Sequence, residues 1–305
     1  MAWRSQTGRF LNSVRVGVWP RHRNASGKAG RRTKSARGTA RNGVRDINVL
    51  YHASSPGIIN AMDSVTILGL RVDRVSVSET LSAIDRFIQE RTPHTIVTAD
   101  ASMAVIARRD PELHAIVEGA DLVTPDGAGI LLASRLLGVP VRYKVSGVDL
   151  VMRLCALSSG KGYRLFFLGA APGVAAEAAA KAVAKWPGTH IVGVCDGYFT
   201  PEQEPSVLAQ IKAAAPDIVM VAFGIPKQEK WIARHKAALG VPVFMGIGGS
   251  FDVLSGRVKR APLFMQRFGF EWLYRLIQNP KKISKVMTLP QFALLVLRQR
   301  FSGAT

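Results

Sequence analysis

From residue 65 onward, short apolar runs alternate with amphipathic stretches of ten to fifteen residues. The runs predict strands at 65–68, 95–97, 122–124, 165–168, 191–194, 218–223 and 243–246. Apolar positions three and four apart predict helices over 77–89, 101–117, 129–137, 173–185, 201–214 and 227–238. Most of the strand runs are continuously apolar, as expected of strands covered on both faces. Strands and helices in strict alternation imply right-handed crossovers, so the expected fold class is α/β: a doubly wound, mainly parallel sheet with helices on both faces. A last apolar helical stretch, 291–300, ends in Arg298 and Arg300.

The two ends break this pattern. Residues 1–63 are rich in Arg, Gly, Ser, Thr and Ala without a sustained hydrophobic period, and are expected to be a disordered extension. Met62, just ahead of the first patterned segment, is a candidate start. Residues 64–256 form the expected folded domain. Residues 257–305 form a helical appendage in which Arg and Lys are interleaved with Phe264, Phe268, Phe270, Trp272 and Tyr274, the combination an interfacial segment requires.

Charge sharpens this division. The net +20 lies at the ends: residues 1–45 carry twelve basic and no acidic residues, residues 251–305 ten and two, and residues 46–250 nineteen of each. A neutral body argues against specific nucleic-acid binding, whereas basic ends suit an anionic membrane surface. No run reaches the roughly 18 apolar residues of a membrane span, so a soluble or peripheral protein is expected. Cys155 and Cys195 read as two reduced thiols, consistent with a cytoplasmic location. A homo-oligomer is compatible with the pattern.

In an open parallel sheet, ligands bind beyond the carboxyl ends of the strands. The loops there contain Thr98 to Asp100, Pro125 to Gly127, Gly169 to Gly173, Asp196 to Tyr198, Gly224 to Gln228 and Gly248 to Asp252. Such loops, rich in Gly, Asp and Pro and mostly opening helices, suit a nucleotide diphosphate, with Gly169, Gly224 and Gly248 permitting close approach. Gly169 to Gly173 is an incomplete dinucleotide fingerprint, although Asp196 stands where a ribose-binding acid could, so a nucleotide-sugar oxidoreductase or epimerase is one alternative. A non-enzymatic polybasic membrane adaptor is another. The histidines are scattered and no Asp-x-Asp motif occurs, so neither a metal nor a cofactor is expected.

The ordered series Thr98-x-Asp100, Arg109 to Leu113, Ala120 to Gly127 and Lys144 to Leu150 resembles the WecG/TagA/CpsF glycosyltransferases, glycosyltransferase family 26. The likeness continues through Phe167 to Gly169, Gly224-x-Pro226-Lys227-Gln228-Glu229, Gly246 to Asp252, Arg260-Ala261-Pro262 and Glu271 to Arg275, covering about residues 64 to 300. The resemblance implies a Rossmann-like domain with a C-terminal appendage that reaches the membrane. The activity it implies is an inverting transfer from a UDP-sugar to a polyprenyl-diphosphate-linked saccharide in bacterial surface polysaccharide synthesis. The sugar would be N-acetylmannosamine, its uronic acid or another hexose.

The resemblance also assigns roles. Asp126 matches the family's proposed base and Thr98 its active-site threonine, while Gln228 can donate to a sugar or phosphate oxygen. Tyr198 and Asp252 resemble positions near the uridine, and Arg275, Lys282 and Lys285 resemble cations that close over the diphosphate. Two positions depart from the family pattern: Asp100 stands where Asn is usual, and Lys144 where Arg is usual. Both are still expected at the substrate, although lysine lacks the bidentate fork of arginine.

Overall fold

A computed structural model describes residues 63–262 and 288–302, with 264, 265, 273, 274 and 277 between them. The N-terminal extension to residue 62, together with Arg275, Lys282 and Lys285, lies outside the described residues.

The chain enters through a hairpin of β1 (Ser64–Ile67) and β2 (Leu70–Asp73), paired antiparallel and separate from the main sheet. The expected strand at 65–68 therefore belongs to a hairpin, and the pattern missed its partner strand. Leu68 and Gly69 both adopt positive φ, the two-residue turn whose twist matches that of paired strands. Because Leu68 is apolar, the turn reads in sequence as strand.

After α1 (Val77–Glu90), opened by a Ser76/Glu79 capping box, come β3 (His94–Ala99), α2 (Ala101–Ala107), α3 (Pro111–Glu118) and β4 (Leu122–Pro125). The single helix expected over 101–117 is thus two. Asp110 caps α3 by accepting from the Leu113 N–H, and Pro111, with no N–H to give α2, takes the first position of the new helix. Next come α4 (Ala128–Leu136), α5 (Gly147–Lys161), β5 (Arg164–Gly169), α6 (Val174–Lys185), β6 (His190–Cys195) and α7 (Glu204–Ala214). They are followed by β7 (Ile218–Ala222), α8 (Lys227–Leu239), β8 (Val243–Gly246) and the short α9 (Ser250–Leu254). The periodicity also missed α5, whose signals lie instead in its caps, Ser146 in front and Gly162 in left-handed conformation behind.

Six strands form one sheet in the order β4-β3-β8-β7-β5-β6, every neighbouring pair parallel. Ile96, Phe167, Met220 and Met245 are buried toward α1, α5 and α6. Their sequence neighbours Val97, Phe166, Val219 and Phe244 belong to the clusters with α2, α3, α7 and α8, so both faces are covered. The last described helix, α10 (Thr288–Ser302), packs against α2 and α4 and buries Phe292 and Val296. Gln299 extends this docking to the hairpin, accepting from the Leu68 N–H at 2.9 Å and donating to the Thr66 carbonyl at 3.2 Å.

Candidate active site

All six parallel strands deliver their carboxyl ends to one edge of the sheet, and the expected site residues follow them there. They do not converge equally. Thr98, Asp100, Asp126 and Lys144 belong to the β3–β4 side, Gly224, Gln228, Gly248 and Asp252 to the loops after the central pair β7 and β8, and Gly169 and Tyr198 to the β5–β6 side. Five strand spacings separate β4 from β6, about 24 Å at a typical 4.8 Å each. Tyr198, 73% exposed at the far edge strand, is therefore the outlying member.

Asp126 occupies the first position after β4, its own N–H bound to the Ala99 carbonyl at 2.9 Å. It does not cap α4, since Gly127 is that helix's N-cap and no side chain bonds there. Its carboxylate instead turns to the neighbouring helix, where Oδ2 accepts from the Gly147 N–H, the first of α5, at 3.1 Å. The positive end of α5 thus faces this carboxylate. Thr98, buried one position before the end of β3, donates its hydroxyl proton to the Gly246 carbonyl at 3.0 Å. That bond lies beyond Ile96 and Met245, the last paired residues of β3 and β8, so it bridges the strands where the ladder ends. Asp100 caps α2 by accepting from the Met103 N–H at 2.8 Å, and Lys144 lies half-buried two residues before the α5 N-cap.

Gln228 is 1% exposed. Its Oε1 accepts from the Gly224 N–H at 3.1 Å and the Gly248 N–H at 3.0 Å, while its Nε2 donates to Glu229 at 2.7 Å. One amide thereby pins together the loops after β7 and β8, both of which turn through glycines at positive φ. Gly169 is required by its backbone: at φ +116° a Cβ would lie 2.7 Å from the Ala222 carbonyl group. Asp252 sits within α9 and Gly248 before it. Among the shifted titratable groups, burial pushes the Cys195 thiol up, with Asp196 adding to the effect, and burial pushes Cys155 up to about 12. Neither thiol is suited to act as a nucleophile. No group of three or more His, Cys, Asp or Glu among the described residues is arranged to hold a metal ion.

The sequence model described as "Glycosyl transferase WecG/TagA/CpsF family" matches residues 65–305. The chain belongs to that family. Two curated WecG/TagA/CpsF-type relatives carry the name N-acetylglucosaminyldiphosphoundecaprenol N-acetyl-beta-D-mannosaminyltransferase. One, from Bacillus spizizenii (strain ATCC 23059 / NRRL B-14472 / W23), is 39% identical over 209 residues, 68% of this chain and 80% of that protein. The other, from Bacillus subtilis (strain 168), is 35% identical over 219 residues, 72% and 85% respectively. Like them, this member of the WecG/TagA/CpsF family is a glycosyltransferase.

Within this enzyme, Ser146, Gly147, Asp149 and Arg260 belong to the site's surroundings, although no individual role for them is legible in the sequence. Ser146 Oγ meets Asp149 Oδ2 at 2.7 Å, and Asp149 Oδ1 pairs with Arg260 at 2.6 Å. The available signal was the Ser-x-x-Asp spacing, a variant of the capping box, directly ahead of an apolar run.

Proposed function

We propose that this chain transfers N-acetylmannosamine or a related hexose, with inversion, from a UDP-sugar to a polyprenyl-diphosphate-linked saccharide. The observation that carries this reading is the 39% identity to the Bacillus spizizenii enzyme over four-fifths of that enzyme's length. The site offers the parts such a transfer needs. The acceptor hydroxyl oxygen attacks the anomeric carbon, its proton passes to the Asp126 carboxylate, and the sugar–phosphate bond breaks with its electron pair leaving on UDP. Gly147 orients Asp126 through its N–H, while Thr98 and Asp100 are assigned to the sugar hydroxyls. Lys144 is assigned to the phosphates, and the backbones at Gly169, Gly224 and Gly248 to close approach of the nucleotide. Gln228 acts by fixing two of these loops; Asp252 and Tyr198 are assigned to the uridine side. Arg275, Lys282 and Lys285 complete the proposal as cations for the diphosphate.

A membrane surface as the place of action is supported by the face beside Asp126. Helix α4 and the loop after it expose Leu132, Leu136, Val139 and Tyr143, and the neighbouring α10 exposes Leu294, Leu297 and Phe301. Exposed Arg135, Arg142, Arg298 and Arg300 accompany them, and residues 127–148 and 288–302 contain no acid. Apolar side chains with cations and no acid fit an anionic lipid surface. No described helix is long and apolar enough to cross a membrane.

The deciding experiment incubates the enzyme with a panel of UDP-sugars and a short-chain polyprenyl-diphosphate N-acetylglucosamine, with mass analysis of the product. Asp126→Asn should lower turnover by about 10²-fold or more while UDP affinity changes little, because a general base contributes about 10²–10⁴. Product formation at the wild-type rate in that variant removes Asp126 from the mechanism.

A further inference from the structure

Arg260 lies just beyond the catalytic domain in the sequence, yet it is wired back into the base. Its guanidinium pairs with Asp149 Oδ1 at 2.6 Å. The other oxygen of Asp149 accepts from the hydroxyl of Ser146 at 2.7 Å, and the Asp149 N–H donates to that same hydroxyl at 3.3 Å. Ser146 is the N-cap of α5, and the next residue, Gly147, gives its N–H to Asp126 at 3.1 Å. From this chain of contacts we infer that Arg260 and Asp149 are positioning residues that hold the first turn of α5 in register to orient Asp126. The inference rests on the reading of Asp126 as the base.

The physical reason lies in how the N–H groups of that turn are aimed, since packing buries the turn but does not by itself orient them. The first N–H groups of a helix have no partner inside it, so their direction is set by the cap and by whatever accepts from them. Here the cap hydroxyl is shared with Asp149, and Arg260 both orients and neutralises Asp149. Without Arg260, Asp149 would place an uncompensated negative charge at the same helix end that stabilises Asp126, and would be free to turn away from Ser146. The charged groups on the described elements meeting there are Asp100 heading α2, Lys144 before α5, Asp149 within it and Asp252 in α9, and from the start of the C-terminal segment come Arg257, which pairs with Glu177, Lys259 and Arg260. The arrangement therefore couples the position of Arg260 to the base.

The test measures turnover, donor KM and the pH profile of kcat in the full chain for Arg260→Gln, Asp149→Asn and the double variant, with a soluble acceptor analogue. Arg260→Gln should lower kcat about tenfold with donor KM within about twofold, a loss of orientation rather than of binding. The acid limb of its kcat profile should move to higher pH, because an unpaired Asp149 disfavours a second carboxylate at the helix end. Removing that charge as well, in the double variant, should return the limb to its original position, which a merely structural role would not do. Arg260→Lys, keeping charge without the fork, should hold the limb in place even where it costs turnover, and remains informative if Arg260→Gln folds poorly. Wild-type kcat and profile in both single variants would overturn the inference, as would a loss confined to KM. Asp126→Asn measured alongside separates the causes. Its wild-type turnover would sink the base assignment and this inference together. Its collapse with Arg260→Gln and Asp149→Asn unaffected would sink the inference alone.

Discussion

Replacing Gln228 by Ala tests whether this buried amide works on the substrate or on the protein. The substitution removes the acceptor for two backbone N–H groups, those of Gly224 and Gly248, and the donor to Glu229. Gly224 and Gly248 are half-buried, so water can reach both amides, and about 1 kcal/mol each is the appropriate end of the range for a lost partner. Glu229 is 1% exposed, and removing a donor from a buried carboxylate adds about 2 kcal/mol. The total of about 4 kcal/mol corresponds to a fall in Tm of about 8–16 °C for a domain of this size. Turnover should fall with it, because the loops after β7 and β8 lose their tie. The assay is thermal unfolding followed by circular dichroism, with turnover measured well below the transition. Gln228→Glu gives an independent check. It keeps an acceptor for both amides but sets a carboxylate against Glu229, so the two must share a proton and one pKa is raised on folding. A raised folded-state pKa gives stability that is present at low pH and lost as pH rises through it, so this variant should recover on acidification toward about pH 4. A Tm within about 2 °C of wild type in Gln228→Ala, with turnover abolished, would refute the reasoning and place the amide on the ligand.

Three other outcomes are expected. Gly169→Ala should destabilise by about 3 kcal/mol or more in urea unfolding, since its Cβ would meet the Ala222 backbone at 2.7 Å in a left-handed conformation; a change under about 1 kcal/mol would mean the strand ends relax freely. Leu132→Ser with Leu136→Ser should reduce co-flotation with phosphatidylglycerol vesicles while leaving turnover on a soluble acceptor intact, and unchanged flotation would remove α4 from the membrane face. The Asp110 carboxyl is held below the usual range by its hydrogen bond from Lys230 and by the Leu113 N–H. It therefore contributes stability above the unfolded carboxylate pKa of about 3.9 that is lost as pH falls through the lower folded value. Asp110→Asn should flatten the acid limb of the stability curve there, and an unaltered limb would show the pairing to be idle.

Periodicity and turn chemistry alone were enough to predict a parallel α/β sheet, because strands buried on both faces leave short continuous apolar runs that length and flanking turn residues set apart from helices. The same logic placed Thr98, Asp126, Gly169 and Gly248 at one edge, since in such a sheet every carboxyl end points the same way. Local sequence was silent where a signal depends on a partner far along the chain. Leu68 reads as strand because only pairing between β1 and β2 makes it a turn, and α5 hides because its amphipathic face is broad and its definition lies in its caps. Tertiary structure alone decided strand order, and with it that β4 and β6 lie at opposite edges, so Tyr198 stands far from Asp126. It also decided the partners of single polar atoms. No local signal pairs Gln228 with particular partners, whereas folding brings Gly224 and Gly248 to its oxygen and Glu229 to its nitrogen. Arg260 and Asp149 are 111 positions apart, and their hydrogen-bonding geometry belongs to the packed chain rather than to either residue's neighbours. Hydrophobic pattern is written locally because burial acts on each element's own face, while hydrogen-bond direction is settled only when distant segments meet.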